Sequence, residues 1–317
     1  MIRPRPRRAA TTLAITGGTG FVGRHLLRLV VERDLQARAL ARTAQKPMRR
    51  IFWVAGALDQ PASLARLMAG ADAVIHVAGV VNAADRDGFA AGNIAGTQAM
   101  IDAAQAAGVR RFVHVSSLAA REPALSAYGW SKAESERLVA GSDLDWAIVR
   151  PPAIYGPGDK EMLDLFRMAA RGFVLLPPGG RLSVIAVKDL ARLLLALAQG
   201  GGSGVTYEPD DGVAGGWEHG AFAQALGAAV CRPVRSIAVP APVLRLGARI
   251  DGLIRGAAAK LTADRVRYFC HPDWVAGQHC APPAALWQPE IATPDGLTAT
   301  ANWYRAQGWL PPAPDRT

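Results

Sequence analysis

Between Thr12 and Arg150 the chain repeats one unit, a short apolar run followed by a longer amphipathic stretch, and the first repeat is the sharpest. There TLAIT (12–16) passes through the glycines of TGGTGFVG (16–23) straight into FVGRHLLRLVVE (21–32). A strand that turns at once into a helix cannot close a hairpin with its successor, so the next strand must return parallel to it. The remaining candidate strands are ARALA (37–41), IFWVA (51–55), AVIHVA (73–78), RFVHVS (111–116) and DWAIVR (145–150), with helical stretches beginning near Phe21, Ala62, Gly88 and Ser126. Most of these strands lack polar alternation and are therefore expected to be buried on both faces. The expectation is an α/β fold, a doubly wound parallel sheet with helices on both faces.

After Arg150 the texture changes, with frequent prolines and glycines and with Trp217, Trp274, Trp287, Trp303 and Trp309. The paired prolines of RPPAIYGPGD (150–159) mark the boundary of a smaller, mixed C-terminal domain. VKDLARLLLALA, from Val187, is a strong helix expected to return to the first domain, and the glycine run at 200–204 reads as a turn. The domain expectation is therefore a disordered basic tail at 1–10, a dinucleotide-binding domain at 11–150 joined by 181–208, and a substrate domain formed by 151–180 and 209–317. The tail carries Arg3, Arg5, Arg7 and Arg8 without a following apolar segment, and no apolar run approaches the ~18 residues of a membrane span. A cytoplasmic protein is expected, and the basic tail is compatible with a peripheral position on the inner face of the membrane.

Thirty-six Lys and Arg against twenty-six Asp and Glu give a net charge of +10, which suits an anionic ligand or an anionic membrane. No basic run is interleaved with aromatics, so no nucleic acid partner is expected. Cys231, Cys270 and Cys280 are too scattered for a disulfide framework. Cys270, His271, His279 and Cys280 lack the usual zinc-ligand spacing and are read as loop residues near Trp274, so no metal is expected. His76 and His114 lie in apolar strands and are read as neutral packing residues.

In the glycine loop, Gly17 permits the tight turn, Gly20 lets the backbone approach a pyrophosphate, and Gly23 lets the helix close on the strand. Thr19, Phe21 and Val22 complete the loop, whose helix N-terminus offers unpaired N–H groups to an anion. These are the features of a Rossmann dinucleotide site. At the end of the second strand, where an NAD site usually carries an acidic residue for the ribose hydroxyls, the chain has Arg42. A guanidinium there pairs with a 2′-phosphate, and Lys46 or Arg49 would add charge, so NADPH is favoured with NAD as the alternative.

Tyr128 and Lys132, four apart in YGWSK, share one helix face beyond the fifth strand and Ser117. A free phenol holds its proton to a pKa of about 10, and the lysine ammonium is expected to draw Tyr128 towards the value a general acid/base needs. Ser117 would hydrogen-bond a substrate oxygen while hydride adds to the carbonyl carbon, with Ser116 as the alternative. The catalytic set is therefore Ser117, Tyr128 and Lys132.

These strings together resemble the short-chain dehydrogenase/reductase superfamily, in its extended or a closely related atypical branch. The resemblance is carried by TGGTGFVG, HVAG (76–79), NIAGT (93–97), VSS (115–117), YGWSK, RPPAIYGPGD and VKDLA (187–191), over roughly the first 200 residues. It implies that Ala78 and Gly79 lie beside the cofactor, that Lys132 also holds the nicotinamide ribose, that Asn93 sits near the active site, and that Pro151, Ala153 and Ile154 pass the nicotinamide. Where many relatives read G-D-L-x-D for the adenine, this chain reads GALDQ with Ala57, which leaves Leu58, Asp59 or the backbone for that contact. Asn93 also admits a purely structural reading as a helix-terminal hydrogen-bonder.

In PVLRLGARIDGLIRGAAAKL (242–261), Leu246, Ile250, Leu253, Ile254 and Ala257 share one helical face, and Arg245, Arg249 and Arg255 take the other. Such a helix could lie on an anionic membrane or line an apolar cleft; the ordinary reading is a wall of the small domain with its arginines in solvent. The leading functional expectation is an NADPH-dependent reductase of a ketone on a hydrophobic, lipid-like substrate, within the resemblance a 3-oxo-sphingolipid (3-ketoceramide). The alternatives are a 3β-hydroxysteroid dehydrogenase-like enzyme, an NAD-dependent nucleotide-sugar epimerase or dehydratase, and a non-catalytic NADPH-binding scaffold.

Overall fold

The computed structural model of the chain describes residues 11–256 and 262–314, so the basic tail at 1–10 and Ala257 lie outside the described residues. The first half runs β1 (Thr12–Thr16), α1 (Phe21–Glu32), β2 (Gln36–Ala41), β3 (Ile51–Ala55), α2 (Pro61–Met68), β4 (Ala73–His76), α3 (Arg86–Phe89), α4 (Gly96–Ala106), β5 (Arg111–Val115), α5 (Ala127–Ala140) and β6 (Asp145–Val149). The second half adds β7 (Ala153–Tyr155), α6 (Leu163–Ala170), β8 (Phe173–Leu176), β9 (Arg181–Leu182), β10 (Val184–Ala186), α7 (Val187–Ala198) and β11 (Val205–Tyr207). It ends with β12 (Trp217–Glu218), α8 (His219–Ala229), β13 (Arg235–Ala238), α9 (Ala241–Arg255), α10 (Ala263–Phe269), β14 (Asp273–Trp274) and α11 (Thr293–Ala306).

Seven strands form one parallel sheet in the order β11-β6-β5-β4-β1-β2-β3. Its central strands β1, β4 and β5 are buried almost throughout, as their lack of polar alternation implies. Successive side chains of β1 serve opposite cores. Leu13 and Ile15 join Leu26, Val30, Leu190 and Leu194 from α1 and α7, while Ala14 joins Leu64, Met100, Ile101 and Phe112 on the other face. Each fully buried Leu or Ile contributes about 1.5–3 kcal/mol, so both faces drive assembly of the sheet. The strand order reverses between β4 and β1, and the crevice for a ligand opens outside the carboxyl ends of these strands.

The returning segment takes a share of the sheet. α7 packs on α1, and β11, a strand too short for its periodicity to reveal, pairs in parallel with β6. β9 belongs elsewhere, pairing with β12 and β14. The second unit has a core of its own around Tyr155, Phe166, Phe222, Leu226, Leu297 and Tyr304. Among the described residues no helix is long and apolar enough to cross a membrane.

One expectation is corrected. α9 does not turn its apolar face inward as a domain wall: its one buried residue is Ala248, and Leu246, Ile250, Leu253 and Ile254 are exposed. The helix packs on α10, with Ala248 buried and Leu244 and Asp251 partly buried.

The glycine turn between α7 and β11 is held from β5 by one buried cation. Arg111 donates to the carbonyls of Leu197 (2.8 Å), Gly201 and Gly202 (2.8 Å) and pairs with Asp145 (2.9 Å). Replacing it by leucine removes the donor from the Gly201 and Gly202 carbonyls and the cation from Asp145, while the Leu197 carbonyl keeps the Gly200 nitrogen. Arg111→Leu is expected to lower the unfolding free energy by on the order of 3 kcal/mol, read as a fall in the urea midpoint at unchanged slope.

Candidate active site

The loops that leave the carboxyl ends of β1, β4, β5 and β6 converge on one cleft of about 2660 Å³. Gly17 adopts a left-handed φ of +71°, and a Cβ there would come within 2.7 Å of the Ala78 nitrogen. At Gly23 a Cβ would come within 2.1 Å of the Gly17 carbonyl, so α1 could not close onto β1 with any other residue. Helix α1 starts at Gly20 with no side-chain cap and no acidic residue in its first turn. Its N-terminal N–H groups therefore border the cleft together with Gly17, Thr19, Gly20, Phe21, Val22 and Gly23, unneutralised by any carboxylate. This cradle, which a Cβ would fill, fits a dinucleotide pyrophosphate.

Along the cleft, Arg42 is exposed at the end of β2, and Leu58 lies against Gly96, where a Cβ would come within 2.7 Å of its side chain. Ala78, Gly79, Pro151, Ala153 and Ile154 also line it. Arg49 does not join Arg42. It pairs with Asp34 at 3.3 Å, next to the stronger Arg50–Asp34 pair at 2.6 Å, at the opposite end of β2. Lys46 is exposed and is not among the lining residues. Arg24 and Arg28, successive outward residues of α1, do line the cleft; a signal was present in their spacing, but the motif gives them no role.

Helix α5, which carries Tyr128 and Lys132, is set by two caps. Ser126 Oγ accepts from the Gly129 nitrogen at 3.0 Å, and the Asp264 carboxylate, far along the sequence, accepts from the Ala127 nitrogen at 2.8 Å. Tyr128 then lines the cleft together with Ser117, whose hydroxyl is near enough to lower the phenol's pKa. Ser117 is the serine that reaches the tyrosine; Ser116 lines the same cleft, and its buried Oγ has no hydrogen-bond partner. Ser117 Oγ also accepts from the Ala119 nitrogen at 3.2 Å, which fixes its direction at the start of a short 3₁₀ turn.

Lys132 is 4 % exposed and donates from Nζ to the Val115 carbonyl at 2.8 Å. Burial lowers its pKa to about 8, and the nearby Glu136 carboxylate opposes the fall. Glu136 is itself bound by Arg150 (2.6 Å), which also reaches the buried Glu208 (3.3 Å), and Glu208 pairs with Arg121 (3.2 Å). The expected acidification of Tyr128 by Lys132 is not what dominates. Burial pushes the phenol above its ordinary value, the hydrogen bond with Ser117 opposes this, and the Glu161 carboxylate adds to it. Lys132 is not among the groups that set this shift.

Asn93 lies inside a π-helical stretch (Ala90–Ala95), not at a helix end. Its side chain accepts from the Val80 nitrogen at 2.6 Å and donates to the Val80 carbonyl at 3.0 Å and to Ser131 Oγ at 2.8 Å, and Ser131 donates to the Tyr128 carbonyl at 2.8 Å. It thereby ties the backbone beyond Gly79 to the tyrosine's turn of helix. His76 and His114 stack with ring centroids 5.5 Å apart beneath the site. Burial and the Lys132 charge hold both low, His76 at about 3, so both are neutral at pH 7.

The far wall is apolar and was not legible in any motif. Phe222, Tyr268, Phe269, Trp274, Trp303 and Trp309 all line it. Tyr268 packs on Trp274 with centroids 4.5 Å apart, and its buried hydroxyl, pushed well above the ordinary value by burial, is close enough to feel the charge of Tyr128. Among the described residues no group of three or more His, Cys, Asp and Glu side chains is placed to hold a metal ion.

Residues 17–199 match the family described as NAD(P)H-binding. The chain is 40% identical to the ceramide reductase of Caulobacter vibrioides over 318 aligned residues, covering 96% of this chain and 97% of that protein. It is 30% identical to the 4-hydroxy-2-methyl-3-oxo-4-farnesyl-3,4-dihydroquinoline-1-oxide ketoreductase of Stigmatella aurantiaca, over 62% of this chain and 67% of that one. The UDP-N-acetylglucosamine 4-epimerase of Bacillus cereus superposes with a TM-score of 0.69 at 15% identity, over 96% of this chain and 99% of that one, and so shares the fold. With a glycine cradle, a Ser-Tyr-Lys cluster and a family match over more than half its length, the chain belongs to the NAD(P)H-binding family and is an NAD(P)-dependent oxidoreductase of the short-chain dehydrogenase/reductase superfamily.

Proposed function

We propose that the chain reduces the ketone of a 3-oxo-ceramide-like lipid with NADPH. The observation that carries the reading is that one cleft is lined both by Ser117, Tyr128 and Lys132 and by six aromatic residues. A nucleotide-sugar ketone needs a polar wall with many fixed donors; an acyl chain needs an apolar surface of this kind. The ceramide reductase of Caulobacter vibrioides, aligned along nearly all of both chains, supports the same substrate class. Exposed Arg42 at the end of β2 supports the 2′-phosphorylated cofactor.

When bound, NADPH supplies the hydride for the carbonyl carbon. Ser117 and Tyr128 hydrogen-bond the carbonyl oxygen, where negative charge develops, and Tyr128 gives that oxygen its proton. A phenol held above its ordinary pKa keeps this proton at neutral pH, which suits the reductive direction. Lys132, fixed by the Val115 carbonyl beside Gly79, holds the nicotinamide ribose and presents positive charge to the phenolate left after proton transfer. Asn93 and Ser131 keep the helix turn that bears Tyr128 in place.

Tyr128→Phe is expected to reduce kcat for 3-oxo-ceramide about 10²–10⁴-fold with NADPH binding retained, and Ser117→Ala about 10²-fold. NADPH oxidation measured against 3-oxo-ceramide, a 3-oxosteroid and a UDP-4-ketosugar tests the substrate class; turnover of the sugar ketone alone would falsify it. Arg42→Ala is expected to raise KM for NADPH about tenfold while leaving KM for NADH nearly unchanged, and equal effects on both would remove the 2′-phosphate role.

Reduction requires charged Lys132, so kcat/KM is expected to fall as pH rises through about 8. Removing the Glu136 charge takes away what favours the ammonium. Glu136→Gln is therefore expected to move this alkaline limb to lower pH by about half a unit or more, with thermal melting followed in parallel to separate the shift from loss of the Arg150 pair.

A further inference from the structure

Helix α9 leaves an apolar stripe facing solvent. Val243 (55 %), Leu246 (58 %), Ile250 (48 %), Leu253 (87 %) and Ile254 (77 %) are all exposed. At 3.6 residues per turn they fall within an arc of about 100°, a width that surface helices normally bury. Arg245 and Arg249, both exposed, border the arc on one side. Asp251, the helix's one acidic residue, is half-buried and paired with Arg255 at 3.2 Å. Asp251 borders the other side of the stripe, where Arg255 offsets its charge, so the unpaired sign beside the stripe is that of Arg245 and Arg249.

We propose that α9 is a monotopic docking element that seats this protein on an anionic lipid bilayer, with the stripe at the acyl boundary and Arg245 and Arg249 among the headgroup phosphates. A contiguous apolar surface on a folded chain calls for a partner, and the charge around it selects which one. A second copy meeting through the same face would bring both pairs of arginines to one interface, where they repel; anionic headgroups complement them. The net charge of +10 favours the same surface.

The stripe is also continuous with the cleft. Leu244, on the same helix, and Phe269, on the adjoining α10, line the cleft, and Phe269 is 46 % exposed at its edge. Leu175, another lining residue, pairs in register with Ile237 just ahead of α9, and both are exposed. Docking through α9 therefore turns the apolar mouth of the cleft towards the bilayer. That consequence rests on the lipid-ketone reading; the docking itself does not.

The test is flotation of the full chain with vesicles of phosphatidylcholine alone or mixed with phosphatidylglycerol. The protein is expected to co-float with the mixed vesicles, less at high salt and little with the neutral ones. Leu253→Glu combined with Ile254→Glu is expected to lower the bound fraction at least about tenfold, and Arg245→Glu with Arg249→Glu to remove the preference for anionic lipid. All four positions are exposed, so the melting temperature and NADPH oxidation with a water-soluble ketone should stay near wild type. Three results overturn the proposal: no co-flotation of the wild type, co-flotation unaltered by the glutamate pair, or a concentration-dependent dimer that the glutamate pair dissolves while no lipid is bound. Because flotation is read without turnover, a protein that floats but does not reduce 3-oxo-ceramide rejects the substrate and keeps the docking.

Discussion

A lysine ammonium almost wholly withdrawn from water is the constraint around which this site is arranged. Such a charge persists only with partners at short range. Lys132 has the carbonyl of Val115 at 2.8 Å and the Glu136 carboxylate near enough to hold its pKa up. Glu136 in turn is held by Arg150, and Arg150 reaches Glu208 in the second half of the chain. Helix α5 is thereby bound to the ends of β5 and β6, and the positions of Tyr128 and Ser117 follow from that binding.

The two ends of the cleft use different chemistry. At the dinucleotide end the contacts are backbone groups, and glycine is required at Gly17 and Gly23 because a Cβ would collide with neighbouring main chain. At the substrate end the wall is aromatic and comes from α8, α10, β14 and the C-terminal region around α11. A rigid polar cradle fixes the cofactor's position, and a broad apolar wall accepts substrates by area more than by individual donors. The exposed apolar surface of α9 continues outward from this second end, through Leu244 and Phe269, so the proposed docking face and the mouth of the cleft share one side.

Much of the site was legible because its determinants are local. A glycine spacing fixes a turn, and residues four apart share a helix face whatever surrounds them, so the cradle, Tyr128 and Lys132 could be named from the string alone. Arg49 shows the limit: it stands close to Arg42 in sequence, yet β2 and β3 carry it to the opposite end of the strand, where Asp34 takes it. β11 was missed because three residues give no periodicity, and its identity as a strand is conferred by β6 beside it. Tyr268 and Asp264 had no signal, since their importance lies in reaching the cleft and α5 from remote parts of the chain, and Trp274 was visible only as one tryptophan of the Trp-rich second half.

By itself the sequence determined the parallel sheet, the glycine cradle and the serine, tyrosine and lysine that attend it, because each rests on short-range sterics and helical or strand period. Only the tertiary structure decided which serine stands by the tyrosine, that burial lifts the phenol above its ordinary value, and that the apolar stripe of α9 faces outward. Desolvation and exposure are properties of everything packed around a residue, and no local pattern encodes them.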